Sequence, residues 1–261
     1  MNDSLHAIGC CATAIPESTQ QCLTALIRMI QSGNGKVDCL AQALVLTSVV
    51  TDSVTNPAVM VLKNLVQNQL SSTVQGMTSS SRETSLSIIA HLSRKIDEIK
   101  NMHARACIIW LVGQYAASNN PTSGPEGISE WAPDVLRKTA RTFGQEVWYY
   151  QIMSTVYLFH QAVLVKLQIV TLAAKLLILS PADRTLILLS QYVFSLARYD
   201  TSYDIRDRAK MLSSLLSGVL PSFSGSQEER DGVVLRREQV LLVLFEGKAG
   251  VIVEQSGRFG K

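Results

Sequence analysis

The sequence predicts an all-α protein, an α-solenoid of HEAT/armadillo-like helix pairs. Three observations predict it. Apolar residues recur at steps of three and four in one segment after another, the period of a helix with one buried face. The alternation expected of strands is almost absent before residue 232. About ten such segments fill roughly 220 residues, or about 44 residues per pair, close to the period of HEAT and armadillo arrays. The repetition is structural, since no sequence word recurs. A two-helix unit cannot bury its own apolar face, and stacking on its neighbours does so. A compact helical bundle is the competing architecture; short, regular connections favour the stack.

The elements follow in order. Leu5, Ile8, Ala12 and Ile15 form the first apolar stripe, and Leu23, Leu26, Ile27 and Ile30 the second, after Pro16. Val37, Leu40, Leu44 and Val45 make a third. Asn56-Pro57 is a helix start, because Asn accepts from the orphan amides and Pro suits the first helical position; Val59, Leu62, Val66 and Leu70 supply its stripe. Ile89, Leu92, Ile96 and Ile99 predict a fifth helix, and Ile108, Leu111 and Tyr115 a sixth.

Pro133-Asp134 is expected to open a helix burying Leu136, Ala140 and Phe143. Residues 163–179 are apolar almost all round, which marks a helix covered on several sides. Ser180-Pro181-Ala182-Asp183 combines an N-cap, a first-turn Pro and a carboxylate near the positive end of the next helix. Leu186, Leu189, Val193 and Leu196 are expected to face inward there. A last strong helix carries Ile205, Ala209, Leu212, Leu216 and Val219.

Three stretches break the rhythm. Residues 71–84 read as a polar loop, and residues 118–130 as a surface excursion rich in Pro and Gly. From Ser222 the chain turns polar, until Val240 to Phe245 gives a short apolar run. The expected organisation is therefore a solenoid over 1–220, followed by a polar linker and an incomplete element over 221–261.

Composition sets the function classes. Of 261 residues, 47% are hydrophobic and 17% charged, enough for a substantial core and too apolar for disorder. A net charge of +3 gives no concentrated basic face, so a nucleic-acid partner is not expected. Five cysteines (Cys10, Cys11, Cys22, Cys39 and Cys107) form no C-x-x-C pair, which argues against a disulfide framework and for a reducing compartment. Met1-Asn2-Asp3-Ser4 has no basic n-region, and residues 4–15 already read as the middle of an array, so the sequence is expected to begin within a larger protein. A soluble, intracellular, helical protein is the expectation.

A search for chemistry returns little. His6, His91, His103 and His160 are isolated, without metal-binding spacing to a cysteine, so no metal is expected. Gly33-Asn34-Gly35-Lys36 and Gly247-Lys248-Ala249-Gly250 lack the spacing and context of a phosphate loop; a turn explains the first better. No G-x-S-x-G elbow appears. The vicinal Cys10-Cys11 lacks the arrangement that stabilises a thiolate, so packed free thiols are expected. Residues 147–165 contain no Asp, Glu, Lys or Arg and nominally suffice to span a bilayer, with Trp148 to Tyr150 as a belt. Gln151, Ser154, Thr155, His160, Gln161 and the adjacent Lys166 argue against that reading.

The most informative polar word is Tyr203-Asp204-Ile205-Arg206-Asp207-Arg208-Ala209. Asp204 and Arg208, four apart, are placed to meet on one helix face, and Asp204 complements the positive helix end. In stacked repeats such residues also bond a neighbouring repeat's backbone. The structural reading outweighs an acid–base role, because no partner for proton transfer can be nominated.

Several words then coincide with a family. His103 to Tyr115, containing Ala104-Arg105-Ala106 and Ile109-Trp110-Leu111-Val112-Gly113-Gln114-Tyr115, resembles the "ARA-x-x-IWL-[IV]-G-E-Y" stretch of beta-adaptins. Ala132 to Lys138 is similar to their "APDVLRK", Val165-Lys166-Leu167-Gln168 and Ala174-Lys175-Leu176 to "VKLQ…L-x-AKL", and Tyr199 to Arg208 to "YD-x-[NS]-YDIRDR". Ala7-Ile8-Gly9, Cys11-Ala12 and Ile15-Pro16-Glu17 resemble "AIG-x-CA-x-x-IPE". The order is the family's over most of residues 5–217.

The resemblance is to the beta-type large subunit of an adaptor protein complex, and its details favour complex 3. It implies a fragment of the α-solenoid trunk, without catalytic residues or cofactor. Its partners would be the medium subunit, the second large subunit and the small subunit, with cargo and membrane engaged through the assembled coat. It would be cytoplasmic and peripheral on Golgi or endosomal membranes, serving transport to the lysosome or vacuole. Arg105, Trp110, Asp204, Arg206 and Arg208, within the matching words, would be structural inter-repeat residues. Another helical-repeat scaffold, such as a nuclear-transport receptor or a phosphatase scaffold, is the alternative, and would not share both the IWLVGQY and YDIRDR words. An enzyme built on helical repeats would need a convergent polar site, which the sequence does not show.

One departure stands out. Where the family passes from the Phe143 region to Val165 through a short turn, this chain carries roughly fifteen extra uncharged, aromatic-rich residues, tolerable entropically at a helix junction. The segment at about 145–162 is therefore read as an atypical insertion, and as a translated non-coding segment; sequencing the transcript across Phe143 to Leu164 tests this.

Overall fold

The computed structural model describes residues 7–11, 21–22, 24–26, 61–64, 67, 89–97, 99, 101–117, 128–144, 156–220 and 235–246. Among these, regular structure is helical and there is no strand. Short helical pieces at 7–11, 24–26, 61–64 and 89–94 precede the well-defined array. That array comprises α1 (Met102–Tyr115), α2 (Ile128–Thr142), α3 (Val156–Leu179), α4 (Arg184–Arg198), α5 (Tyr203–Leu216) and α6 (Arg237–Leu241), which continues as a π-turn over Leu242–Glu246.

The helices form two layers. α1 packs on α3 and α3 on α5, while α2 packs on α4; each layer then contacts the other through α1–α2, α2–α3, α3–α4 and α4–α5. A helix thus touches its neighbours in sequence and the next but one, as stacked helix pairs require. The predicted α-solenoid is the observed architecture.

α3 is its axis. It spans 24 residues and touches α1, α2, α4, α5 and α6. Val165, Ile169, Val170, Leu172, Ala173, Ala174, Leu177 and Ile178 are essentially inaccessible, and by helical periodicity they cover about two thirds of the helix circumference. The near-uniform apolar sequence is therefore the signature of a helix covered on several sides. Ala162–Leu179 is long and apolar enough to cross a membrane by length and composition, but most of it is buried inside the array, as for a core helix. The stretch read as a nominal span, 147–165, is not that window. α3 begins at Val156, so the second part of the expected insertion is the first turns of the axial helix; residues 145–155 lie outside the described residues.

The predicted faces are largely those observed. Ile89, Leu92, Ile96 and Ile99 are buried, although the helix gives way to a turn after residue 94. Ile108 and Leu111 are buried and Tyr115 half-buried on α1, whose Asn101 side chain caps it by accepting the Ala104 amide at 2.8 Å. Leu136 and Ala140 are buried along α2, with Phe143 buried in the turn just past its end, and Ile205, Ala209, Leu212 and Leu216 along α5. Each large side chain of this kind contributes about 1.5–3 kcal/mol. Leu26 and Leu62, from the earlier stripes, are also buried. The third stripe, from Val37 to Val45, the Asn56-Pro57 start and the loop at 71–84 lie outside the described residues.

Three boundaries are corrected. α2 begins at Ile128, so Pro133 stands inside it rather than at its first position, and 128–130 belong to the helix rather than to the excursion. The missing Pro133 amide interrupts the ladder in the second turn. The cap of α4 is Asp183, not Ser180: its Oδ1 accepts the Thr185 and Leu186 amides at 2.9 and 3.3 Å. Pro181 and Ala182 form the turn before it, closed by the Asp183 amide donating to the Ser180 carbonyl. The buried face of α4 is Leu186, Ser190, Val193, Phe194 and Ala197; Leu189 and Leu196 are only half-buried, because at about 100° per residue they fall on the edge of that arc, so the face is rotated from the predicted stripe.

Candidate interaction surface

The five residues singled out from the sequence are not gathered at one point. Arg105 lies on α1 and reaches α2 across the layers, Nη2 donating to Thr142 Oγ1 at 3.4 Å. Trp110, half-buried on the same helix, receives the Lys63 ammonium over its ring at 4.6 Å from the centroid. The other three start α5. Asp204 and Arg208 are exposed, and no ion pair joins them, contrary to the spacing argument: both are held on the solvent side while Ile205 and Ala209 turn inward. Arg206 folds back on the turn before its own helix. Its Nη1 donates to the carbonyls of Asp200 and Thr201 at 2.6 and 3.2 Å, and the guanidinium lies over the Tyr203 ring at 4.2 Å.

That turn is clamped from the opposite side by a group the sequence reading had not nominated. Lys166 Nζ of α3 donates to Asp200 Oδ2 at 2.6 Å, with the two side chains 4% and 7% exposed. The other carboxylate oxygen accepts the Ser202 amide at 3.0 Å, which serves the N-terminus of α5 in place of a side-chain cap. Lys166 also lies over the Phe143 ring at 5.1 Å. A buried charge needs a counter-charge and further hydrogen bonds to offset its lost hydration; here one carboxylate, one ring and one amide supply them.

A second lysine of α3 is satisfied differently. Lys175, 4% exposed, donates to Gln114 Oε1 of α1 at 2.7 Å and lies over the Phe245 ring at 4.9 Å. Burial without a counter-ion lowers its pKa from 10.5 to about 8. Gln114 passes the contact on, its Nε2 donating to the Phe245 carbonyl at 2.9 Å. Gly113 of α1 faces α3 directly: a Cβ there would stand 3.4 Å from Leu172 Cδ1 and 3.5 Å from Lys175 Cδ, in ordinary contact.

The signal for both lysines was present in the sequence. Between Val156 and Leu179 they are the only Lys, Arg, Asp or Glu, and a cation on a helix covered on several sides has to find a partner inside.

Other polar groups serve the surface. Asp134 pairs with Arg137 and, at 3.5 Å, with Lys138, which lowers the Asp134 pKa; Lys138 also donates to the Arg94 carbonyl at 3.2 Å. Cys107 is half-buried on α1, and desolvation pushes its thiol up to about 12 against the opposing Lys63 charge. Cys10 and Cys11 form no disulfide and are exposed, not packed as expected. Among the described residues no group of three His, Cys, Asp or Glu is placed to hold a metal ion.

What these contacts define is a helical-repeat scaffold with polar side chains bridging its helices. The chain belongs to the adaptin family: the model of the adaptin N-terminal region matches residues 2–219. It is similar to AP-3 complex subunit beta-2 of Mus musculus, 32% identical over 227 residues, covering 87% of this chain and 16% of that protein. AP-3 complex subunit beta-1 of Homo sapiens is 30% identical over 226 residues (85% and 16%), and the AP-3 beta subunit of Dictyostelium discoideum 28% over 237 residues (80% and 19%). The chain thus spans less than a fifth of the length of these curated relatives.

Proposed function

We propose that this chain contributes trunk repeats of a beta-type large subunit to an AP-3-like vesicle-coat adaptor, and that it acts by binding rather than by chemistry. The observation that carries the reading is the match to the adaptin N-terminal region across residues 2–219, on a two-layer helical stack. The proposed partners are the medium subunit, the second large subunit and the small subunit. Cargo and membrane are met through the assembled complex, on Golgi or endosomal membranes facing the cytoplasm. In this reading Arg105, Trp110, Asp204, Arg206 and Arg208 orient successive repeats, so that the wall they form keeps one curvature. The relatives named above are adaptor subunits, which does not favour a nuclear-transport receptor or a phosphatase scaffold.

The test is co-expression of the parent protein with an AP-3 medium subunit, followed by affinity capture. Intact protein retains the medium subunit; a parent lacking residues 100–217 loses it. Retention by the deleted form at the intact level would refute the assignment.

A further inference from the structure

The last described segment does not add to the end of the stack. After Leu220, just past the end of α5, the next described segment lies against α3 and α1, two and four helices earlier in the array. Three contacts fasten it there. Arg237 fits its guanidinium on the carbonyl end of α3, Nε donating to Ile178 and Nη2 to Leu179, each at 3.1 Å. Those carbonyls lack intrahelical donors and carry the negative end of the helix dipole, so a cationic fork is the complementary group. Eight residues on, Phe245 sets its ring against Lys175 and its carbonyl against Gln114. Between them Val240 is fully buried, whereas Leu242 and Val243 face outward, about half exposed.

We propose that the carbonyl ends of α1 and α3 form a recognition groove for a short helical segment of another polypeptide, carrying an arginine and, eight residues later, an aromatic side chain, and that Arg237–Phe245 fills this groove in cis. The occupant seen in place defines the chemistry: a cation for the α3 carbonyls, a π-face for Lys175, a backbone carbonyl for Gln114 and one apolar side chain between. Lys175 and Gln114 are joined at 2.7 Å by a bond in which the segment itself takes no part. Residues 221–234 separate the segment from α5, a span of fourteen residues that reaches at most about 45 Å. The inference stands on this geometry and does not depend on the coat-adaptor reading.

The test uses the full chain and a fluorescent peptide of the sequence 235–246. Arg237→Ala, on the strap, should speed hydrogen exchange of 235–246 while leaving α3 and α5 unchanged, and should open the groove to the native peptide. Peptide carrying the same Arg→Ala change should bind at least about tenfold more weakly, the worth of a charge-assisted hydrogen-bond pair. Gln114→Glu keeps a partner for Lys175 but removes the donor to Phe245, and should weaken both strap and peptide without loss of helicity. With the unmodified chain, excess peptide should accelerate exchange of 235–246 alone. No acceleration at saturating peptide, or exchange of α3 and α5 rising together with the strap, would overturn the proposal. Concentration-dependent dimers held by exchanged straps would make a second copy the occupant and overturn the reading of a separate partner.

Discussion

Lys166 Nζ and Asp200 Oδ2 meet at 2.6 Å inside the stack, joining the middle of α3 to the turn that starts α5. The pair locks α4 between them, because the Asp200 turn is the end of one helix and the beginning of the next. Both charges are almost wholly removed from water, so neither tolerates the loss of the other. Asp200→Ala or Lys166→Met alone should each destabilise the chain by about 3–5 kcal/mol, by stranding a buried charge. The double replacement should recover most of that loss. Urea denaturation of the four chains of the cycle reads the coupling; equal, additive losses would show that the charges do not act as a pair.

The exposed pair of α2 sets the contrast. Asp134 and Arg137 face solvent with side chains 41% and 69% accessible, where screening and side-chain entropy consume most of the attraction. Arg137→Ala should therefore change stability by less than about 1 kcal/mol. A loss comparable to that of Asp200→Ala, in the same urea titration, would contradict this ranking by burial.

How far the fold could be read from the residues follows from the same distinction. Apolar spacing located α1, α2, α3 and α5 because their core faces repeat at three and four, and it named Leu136, Phe143, Ile205 and Leu212 correctly. Helix starts were less legible. Pro133 and Pro181 are permitted at a first turn, but the choice of cap depends on which side chain reaches the free amides, and Asp183 reached two. Polar contacts across repeats were the least legible part. Asp204 and Arg208 had the right local spacing and do not meet; Lys166 and Asp200, thirty-four residues apart, had none and do. Local spacing cannot encode a contact that depends on how two layers stack.

Gly113 supplies a steric prediction. A Cβ there would sit at ordinary contact distance from Leu172 and Lys175. Gly113→Val adds two methyl groups to an interface packed at that distance, and it should cost about 1–3 kcal/mol through overpacking. Gly113→Ala should be much milder, since the gain in helix propensity offsets the tighter contact. Thermal unfolding of the two variants against the parent measures the difference; a Val variant as stable as the Ala variant would place α1 and α3 farther apart than described.

Thiol reactivity should separate the cysteines by environment. At pH 8 an alkylating reagent should label Cys10 and Cys11, which are exposed, and spare Cys107, whose thiol burial holds near 12. Peptide mapping after brief alkylation gives the order directly. Labelling of Cys107 before the chain unfolds would mean that the α1 face is open to water.

Lys175 gives the chain a pH signature whose sign is fixed by its environment. Its folded pKa, about 8, lies below the unfolded value of 10.5, so between these two the unfolded chain binds more protons. Stability contributed by this site therefore rises with pH across that window, and the burial cost of the charged amine is felt fully below pH 8. From pH 8 to 9 the gain should be about 1 kcal/mol. Above pH 9 the opposite linkage of Cys107 sets in, because its thiol ionises near 9 in the unfolded chain and near 12 in the folded one. The measurable interval is thus narrow. Urea midpoints at pH 7, 8 and 9 should increase at the last step in the parent chain and show no rise in Lys175→Met, which keeps the stem and drops the titrating group. Parallel behaviour of the two chains would mean that the Lys175 amine is hydrated in the folded state, and that the contacts with Gln114 and Phe245 do not exclude water from it.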